Sequence, residues 1–285
     1  MISVENRLPA DFRESSLRSD VLTGLTATPK WLPPKWFYDA QGSALFEKIT
    51  ELPEYYPTRT ERSILRRAAG EIADVSRAGT LVELGSGSSE KTRLLLDALR
   101  DAGTLRRYVP VDVSESALTT AGEAVAAEYP GLGVHAVASD FDSYLGVSAG
   151  DGDDGGPRLV AFLGSTIGNM VPDERATFLS RVRSQLRPGD SFLLGTDLVK
   201  DPSVLVAAYD DSAGVTAAFN KNVLSVLNAS LGADFDLDAF DHVAAWDAES
   251  EWMEMRLRSA SDQEVRVPGV GLTAAFAAGE EMRTE

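Results

Sequence analysis

The chain is predicted to adopt an α/β fold: a doubly wound parallel sheet joined to a second, α+β unit. Three observations predict it. Short apolar runs alternate with helix-like segments from about residue 60 to 199. One junction, Leu81-Val82-Glu83-Leu84-Gly85-Ser86-Gly87-Ser88-Ser89-Glu90-Lys91-Thr92, reads as a buried strand, a tight turn and a helix start. Beyond residue 200 the period changes, and Trp252-Met253-Glu254-Met255-Arg256-Leu257-Arg258 alternates in twos. Strands separated by helical stretches are what a parallel sheet with crossover helices requires.

Taken in order, 17–25 predicts a helix. Pro29, Pro33 and Pro34 then break the chain among Trp31, Trp36, Phe37 and Tyr38, which predicts a rigid, partly apolar loop. Tyr56 precedes a proline and is biased to extended backbone, and Thr58 or Thr60 is expected to cap the helix through Ile64 and Leu65. Strands are predicted at 80–84, 108–111, 134–138, 159–163 and 191–194, with helices near 89–102, 115–128 and 172–186. Leu186-Arg187-Pro188-Gly189-Asp190 is a turn, and 151–156 a flexible surface loop with no chemistry. Residues 203–231 read as helical. In the 252–258 strand Met253, Met255 and Leu257 share one face and Trp252, Glu254, Arg256 and Arg258 the other, with 265–267 and 272–276 as partner strands.

Composition removes several classes of function. The formal charge is −17, from 27 basic and 44 acidic residues. Such a surface repels phosphate backbones and anionic lipids, so no nucleic-acid or membrane partner is expected. The absence of cysteine excludes disulfides, thiolate metal sites and thiol nucleophiles, and fits a cytoplasmic setting. His135 and His242 are too few for a histidine metal cluster, and no metal is expected. The N-terminus shows no signal-peptide pattern, and no apolar run reaches the ~18–20 residues that span a bilayer.

Ligands of an open parallel sheet bind beyond the carboxyl ends of its strands. Those ends carry Gly85, Asp112, Asp140 with Phe141, and Gly164-Ser165-Thr166-Ile167-Gly168-Asn169. Asp112 offers an acceptor to both ribose hydroxyls; it also fits as a helix cap before Ser114. Asp140 offers an acceptor to an adenine amine, and Phe141 a face to its ring. Lys91 fits either a ligand carboxylate or a solvated helix surface. Ribose, adenine and carboxylate together describe S-adenosylmethionine better than a dinucleotide, whose third fingerprint glycine is missing. Asn169 reads either as the reader of an amino acid's zwitterionic end or as a turn residue after Gly168.

Several stretches also carry a resemblance. Leu32-Pro33-Pro34-Lys35-Trp36-Phe37-Tyr38-Asp39, Leu52-Pro53-Glu54-Tyr55-Tyr56-Pro57-Thr58-Arg59-Thr60-Glu61, Glu83-Leu84-Gly85-Ser86-Gly87, Phe162-Leu163-Gly164-Ser165-Thr166-Ile167-Gly168-Asn169 and Ala278-Gly279-Glu280-Glu281-Met282 occur in this order. They resemble the L-histidine Nα-methyltransferases of ergothioneine biosynthesis, from about residue 15 to the last residue. The resemblance implies a Rossmann-like class I methyltransferase sheet at 60–199 and a discontinuous substrate domain from 1–59 plus 200–285, with substrate held between them. It implies S-adenosylmethionine as donor, L-histidine as acceptor and hercynine as product; a monomer is expected. Gly85, Lys91, Asp112, Asp140 and Phe141 match the donor contacts. Tyr55 and Glu285 match residues that hold the imidazole, and Asn169 and Tyr209 those that hold the α-carboxylate and amine. Met255 matches a residue beside the substrate, and Tyr38 a tyrosine near the reacting amine.

Family members continue past the glutamate, with a serine two positions on and the last two strands of the sheet. For the chain as written, this implies that those strands are absent, that the 191–194 edge is exposed and that histidine binds more weakly than to a longer form. Two other readings stay open: the same chemistry on another amino acid or imidazole compound, and an inert form that only holds the nucleoside. A dehydrogenase reading finds support neither in the glycine spacing nor in a hydride-handling site.

Overall fold

The computed structural model describes residues 2–87, 89–140 and 156–285. Its elements begin with β1 (Ile2–Asn6), α1 (Phe12–Thr26), α2 (Ala40–Glu51) and α3 (Tyr56–Ser76). Next come β2 (Thr80–Leu84), α4 (Thr92–Asp101), β3 (Arg107–Asp112), α5 (Glu115–Glu128) and β4 (Gly133–Ala138). Then β5 (Arg158–Phe162), α6 (Pro172–Gln185), β6 (Ser191–Leu194), α7 (Pro202–Tyr209) and α8 (Val215–Leu231) follow. Five further strands close the chain: β7 (Phe240–Asp247), β8 (Trp252–Ser259), β9 (Gln263–Val267), β10 (Leu272–Phe276) and β11 (Glu281–Arg283). The chain divides into two units, residues 1–9 with 57–197 and residues 10–56 with 198–285.

The first unit holds a parallel sheet in the order β1-β4-β3-β2-β5-β6. Its central strands are apolar on both faces because both faces are covered. Leu81, Tyr108, Val134 and Leu159 pack one way with Leu65, Leu95, Leu99 and Val125. Val82, Val109, Val137 and Val160 pack the other way with Phe178 and Val182 of α6. The five strands expected from sequence are present, and β6 is outermost on its side and half-buried. A sixth strand, β1, was not expected. It runs parallel to β4, with Ile2 opposite Val134, so the first nine residues sit with the sheet and not with the second unit. Gly122 of α5 makes room for it, since a Cβ there would lie 2.6 Å from Ile2 Cδ1.

The helix expected to be capped at Thr58 or Thr60 begins earlier, at Tyr56, with Pro57 in its first turn and both threonines inside it. Proline suits a first turn, where its missing N–H would have no partner.

The second unit has a core around α8, whose Phe219, Val223, Leu224, Leu227 and Leu231 meet Phe235, Phe240, Leu257 and Phe276. The 203–231 stretch is two helices. Gly214 (φ 72°) turns the chain, and the Asp211 carboxylate accepts from Val215 N and Thr216 N at 3.0 and 2.7 Å. The period-two strand is β8, but its partners are β7 and β11. The segments at 265–267 and 272–276 pair with each other in a separate two-stranded sheet. Among the described residues no helix is long and apolar enough to cross a membrane.

Candidate active site

In the first unit the carboxyl ends of β4, β3, β2 and β5 lie side by side, and Asp140, Asp112 and Gly85 stand at three of them. Gly85 leaves β2 with φ 69°, a conformation glycine takes without a Cβ penalty, and its N–H reaches Val111 O at 2.8 Å. Asp112 ends β3 opposite Ala138, two residues before Asp140. Its carboxylate accepts from Gly87 N and Ser114 N at 3.2 and 3.1 Å. Burial pushes this carboxyl above its ordinary value, and those two N–H groups pull the other way. Asp140 is half-buried, and Phe141 lies outside the described residues.

Beneath the glycine turn sits a buried polar knot. Glu83 of β2 accepts from Thr92 Oγ1, the first residue of α4, and from Tyr108 OH of β3, each at 2.5 Å. Tyr108 OH also lies 2.8 Å from Ser89 Oγ, in a residue whose φ is 56°. Burial raises Glu83 to about 7, against the two hydroxyl donors. Ser86 Oγ, in the turn itself, is buried and has no hydrogen-bond partner in the structure.

Lys91 does meet a carboxylate, and it is the protein's own. Its ammonium pairs with Glu61 of α3, whose other oxygen accepts from Gly164 N at 2.8 Å. After Gly164 (φ 78°), Ser165 is also left-handed (φ 59°) and opens a short 3-10 turn, Thr166–Asn169. Ser165 Oγ accepts from Asp197 N at 2.9 Å. The turn leaves Asn169 exposed at its end.

The second unit gathers the other predicted residues. Tyr38 packs edge-on against Phe46 and Phe219, with ring centroids 5.6 and 5.4 Å away. Phe46 meets Tyr55 at 6.3 Å, and Tyr55 meets Tyr209 at 6.2 Å. Tyr38, 42% exposed, is fixed through its neighbours: Asn222 of α8 donates to Phe37 O at 3.2 Å and to Asp39 Oδ1 at 2.8 Å, and Asp39 caps α2.

Met255 and Glu285 are joined by backbone hydrogen bonds, Met255 N to Glu285 O at 3.1 Å and Glu285 N to Met255 O at 3.2 Å. A side-chain relay ties this pair to Tyr209. Thr284 Oγ1 lies 2.9 Å from Met255 O and 2.6 Å from Asn220 Oδ1. Asn220 Nδ2 reaches His242 Nδ1 at 2.8 Å and Arg256 O at 3.0 Å. With Nδ1 accepting, Nε2 carries the proton and donates to Tyr209 O at 2.8 Å. Burial pushes the His242 imidazole below its ordinary value, against the pull of that carbonyl. The relay needs a neutral ring.

Glu61, Asn220, Asn222 and His242 were not expected here. Glu61 closes the quoted Leu52–Glu61 stretch, so its position was marked without a role. The two asparagines lie inside an apolar helix, where a buried amide signals a distant partner without naming it.

The chain matches the family model for histidine-specific, SAM-dependent methyltransferases over residues 17–285. It is 60% identical over 284 residues to a histidine N-alpha-methyltransferase of Mycolicibacterium smegmatis, covering 100% of this chain and 87% of that protein. It is 57% identical over 284 residues to the protein of the same name from Mycobacterium tuberculosis, with the same coverage of 100% and 87%. Ergothioneine biosynthesis protein 1 of Neurospora crassa is 33% identical over 229 residues, 78% of this chain and 26% of that protein.

Proposed function

We propose, because the chain belongs to the histidine-specific, SAM-dependent methyltransferase family, that it trimethylates the α-amine of L-histidine to hercynine, the betaine of ergothioneine biosynthesis. The observation that carries this reading is the grouping of Tyr38, Tyr55 and Tyr209 in one aromatic cluster, with Tyr209 tied by the relay to Met255 and Glu285. In this reading the first unit binds the donor through Gly85, Lys91, Asp112, Asp140 and Phe141. The second presents Tyr55, Tyr209, Met255 and Glu285 to the acceptor, and Asn169 is assigned to the acceptor's α-carboxylate and amine. The donor set fits an adenosyl amino acid: a carboxylate for ribose at Asp112, a cation at Lys91 and the unpaired Ser86 hydroxyl in the turn.

S-adenosylmethionine supplies a methyl group already activated by its sulfonium. The chain's task is therefore alignment and exclusion of water, and alignment of two reactants is worth up to ~7–11 kcal/mol of barrier. The amine must lose a proton before each of the three attacks, and we assign its reception to the Tyr38 hydroxyl or a water beside it. Tyr55 and Glu285 give the imidazole one hydroxyl and one carboxylate. A substrate lacking the ring forgoes both hydrogen bonds, at about 1–3 kcal/mol each. We place the reaction in the cytoplasm, which a chain without cysteine fits, and assign it to a monomer.

Incubation of the purified chain with histidine and S-adenosylmethionine, followed by mass spectrometry, tests the reading. Products carrying one, two and three methyl groups are expected. Unmodified histidine alongside methylation of another amino acid in a competition mixture would overturn the substrate assignment.

A further inference from the structure

The Glu61–Lys91 pair stands at the ligand-binding edge of the sheet and is only partly shielded, with side chains 16% and 23% exposed. Gly195 leaves the space the pair fills, since a Cβ there would lie 2.2 Å from Glu61 Oε1. Half-buried ion pairs return little stability for the water they give up, so stability alone does not account for this one. A carboxylate has about four acceptor directions and an ammonium three donors. In the structure Glu61 accepts from Lys91 and Gly164, and Lys91 donates to Glu61, so both keep bonding capacity. An ammonium beside a carboxylate is the complement of an amino acid's own charged end: laid antiparallel, the four charges alternate in sign.

We propose that Glu61 is a donor-binding residue, accepting from the α-ammonium of S-adenosylmethionine while Lys91 holds its α-carboxylate. The proposal rests on the methyl-donor reading given above. It assigns Glu61 a second effect, since its hold on Gly164 N sets the start of the turn that carries Asn169.

Calorimetry with three adenosyl ligands tests it. S-adenosylhomocysteine has both charged groups, its decarboxylated counterpart has only the amine, and 5′-methylthioadenosine has neither. Glu61→Gln is expected to weaken the first two at least about tenfold and to leave methylthioadenosine unchanged. Lys91→Met is expected to weaken S-adenosylhomocysteine and spare the decarboxylated compound. Equal loss of methylthioadenosine in Glu61→Gln would make Glu61 a scaffold residue and overturn the proposal, as would undiminished S-adenosylhomocysteine affinity. Failure of the unmodified chain to bind any of the three would remove the donor reading itself.

Discussion

Glu83 is a carboxyl enclosed by the sheet, taking hydrogen bonds from Thr92 and Tyr108 and raised by burial to about 7. A carboxyl whose folded pKa exceeds its unfolded one binds more protons when folded, between the two values. Its contribution to stability therefore falls as pH rises from about 4.3 to about 7 and is level above that. Glu83→Gln keeps the shape and removes the titration. Urea denaturation across this window is expected to show a flatter pH slope for the variant, by on the order of 3 kcal/mol between its ends; parallel slopes would assign the pH dependence to other groups. In the proposed reading Glu285 contacts the acceptor. Loss of a charged hydrogen-bond partner costs about 1.5–3 kcal/mol, so Glu285→Ala should lower kcat/KM for histidine by roughly ten- to a hundredfold. S-adenosylmethionine affinity by calorimetry should stay level, and a parallel fall would remove Glu285 from the acceptor site.

Elements differ in how far their sequences announce them. β2 to β5 were legible because strands buried on both faces are continuous apolar runs, and half-buried β6 because Pro188 and Gly189 punctuate its start. β1 was not, because an edge strand of five residues with exposed Ser3 and Val4 shows neither a run nor a clear alternation. The break between α7 and α8 was overlooked because apolar spacing continues on both sides of Asp211 and Gly214. Within the site, glycines and strand-end acids were readable from position, whereas the relay joins residues 22 to 64 apart and has no local pattern. Its effect is testable: Asn220→Ala strands the His242 ring and frees the Tyr209 end of α7. The histidine KM should rise by about five- to a hundredfold, from a lost buried bond of ~1–3 kcal/mol, with donor affinity held; a fall in both would make Asn220 a general fold residue. The turn before β6 depends on a buried pair, Arg158 and Asp190, with side chains 4% and 1% exposed. Burial raises the Asp190 carboxyl, but the Arg158 guanidinium and two backbone N–H groups outweigh it and hold it below its ordinary value. Its contribution is present above about pH 3.9 and lost as pH falls through the folded pKa. Asp190→Asn breaks this buried pair by removing the carboxylate charge, and urea denaturation at neutral pH is expected to show about 3–5 kcal/mol of destabilisation.

Over the whole molecule the charge balance acts on the donor before any contact forms. With 44 acidic against 27 basic residues the field is negative, and fields of this kind raise the encounter rate of ligands of opposite sign. S-adenosylmethionine carries a sulfonium, an ammonium and a carboxylate, and so enters as a net cation. S-adenosylhomocysteine has lost the sulfonium charge and is neutral overall. The same surface thus draws in the fresh donor and exerts no net pull on the spent one, which favours exchange three times per hercynine. Salt separates this long-range term from contacts in the pocket, because the screening length shrinks from about 30 Å at 0.01 M to about 8 Å at 0.15 M. Stopped-flow association over that range should slow S-adenosylmethionine by at least about twofold and leave S-adenosylhomocysteine nearly unchanged. The two ligands share every group except the transferred methyl and its charge. Equal salt sensitivity would therefore trace the effect to their common carboxylate and ammonium, and not to the field of the chain.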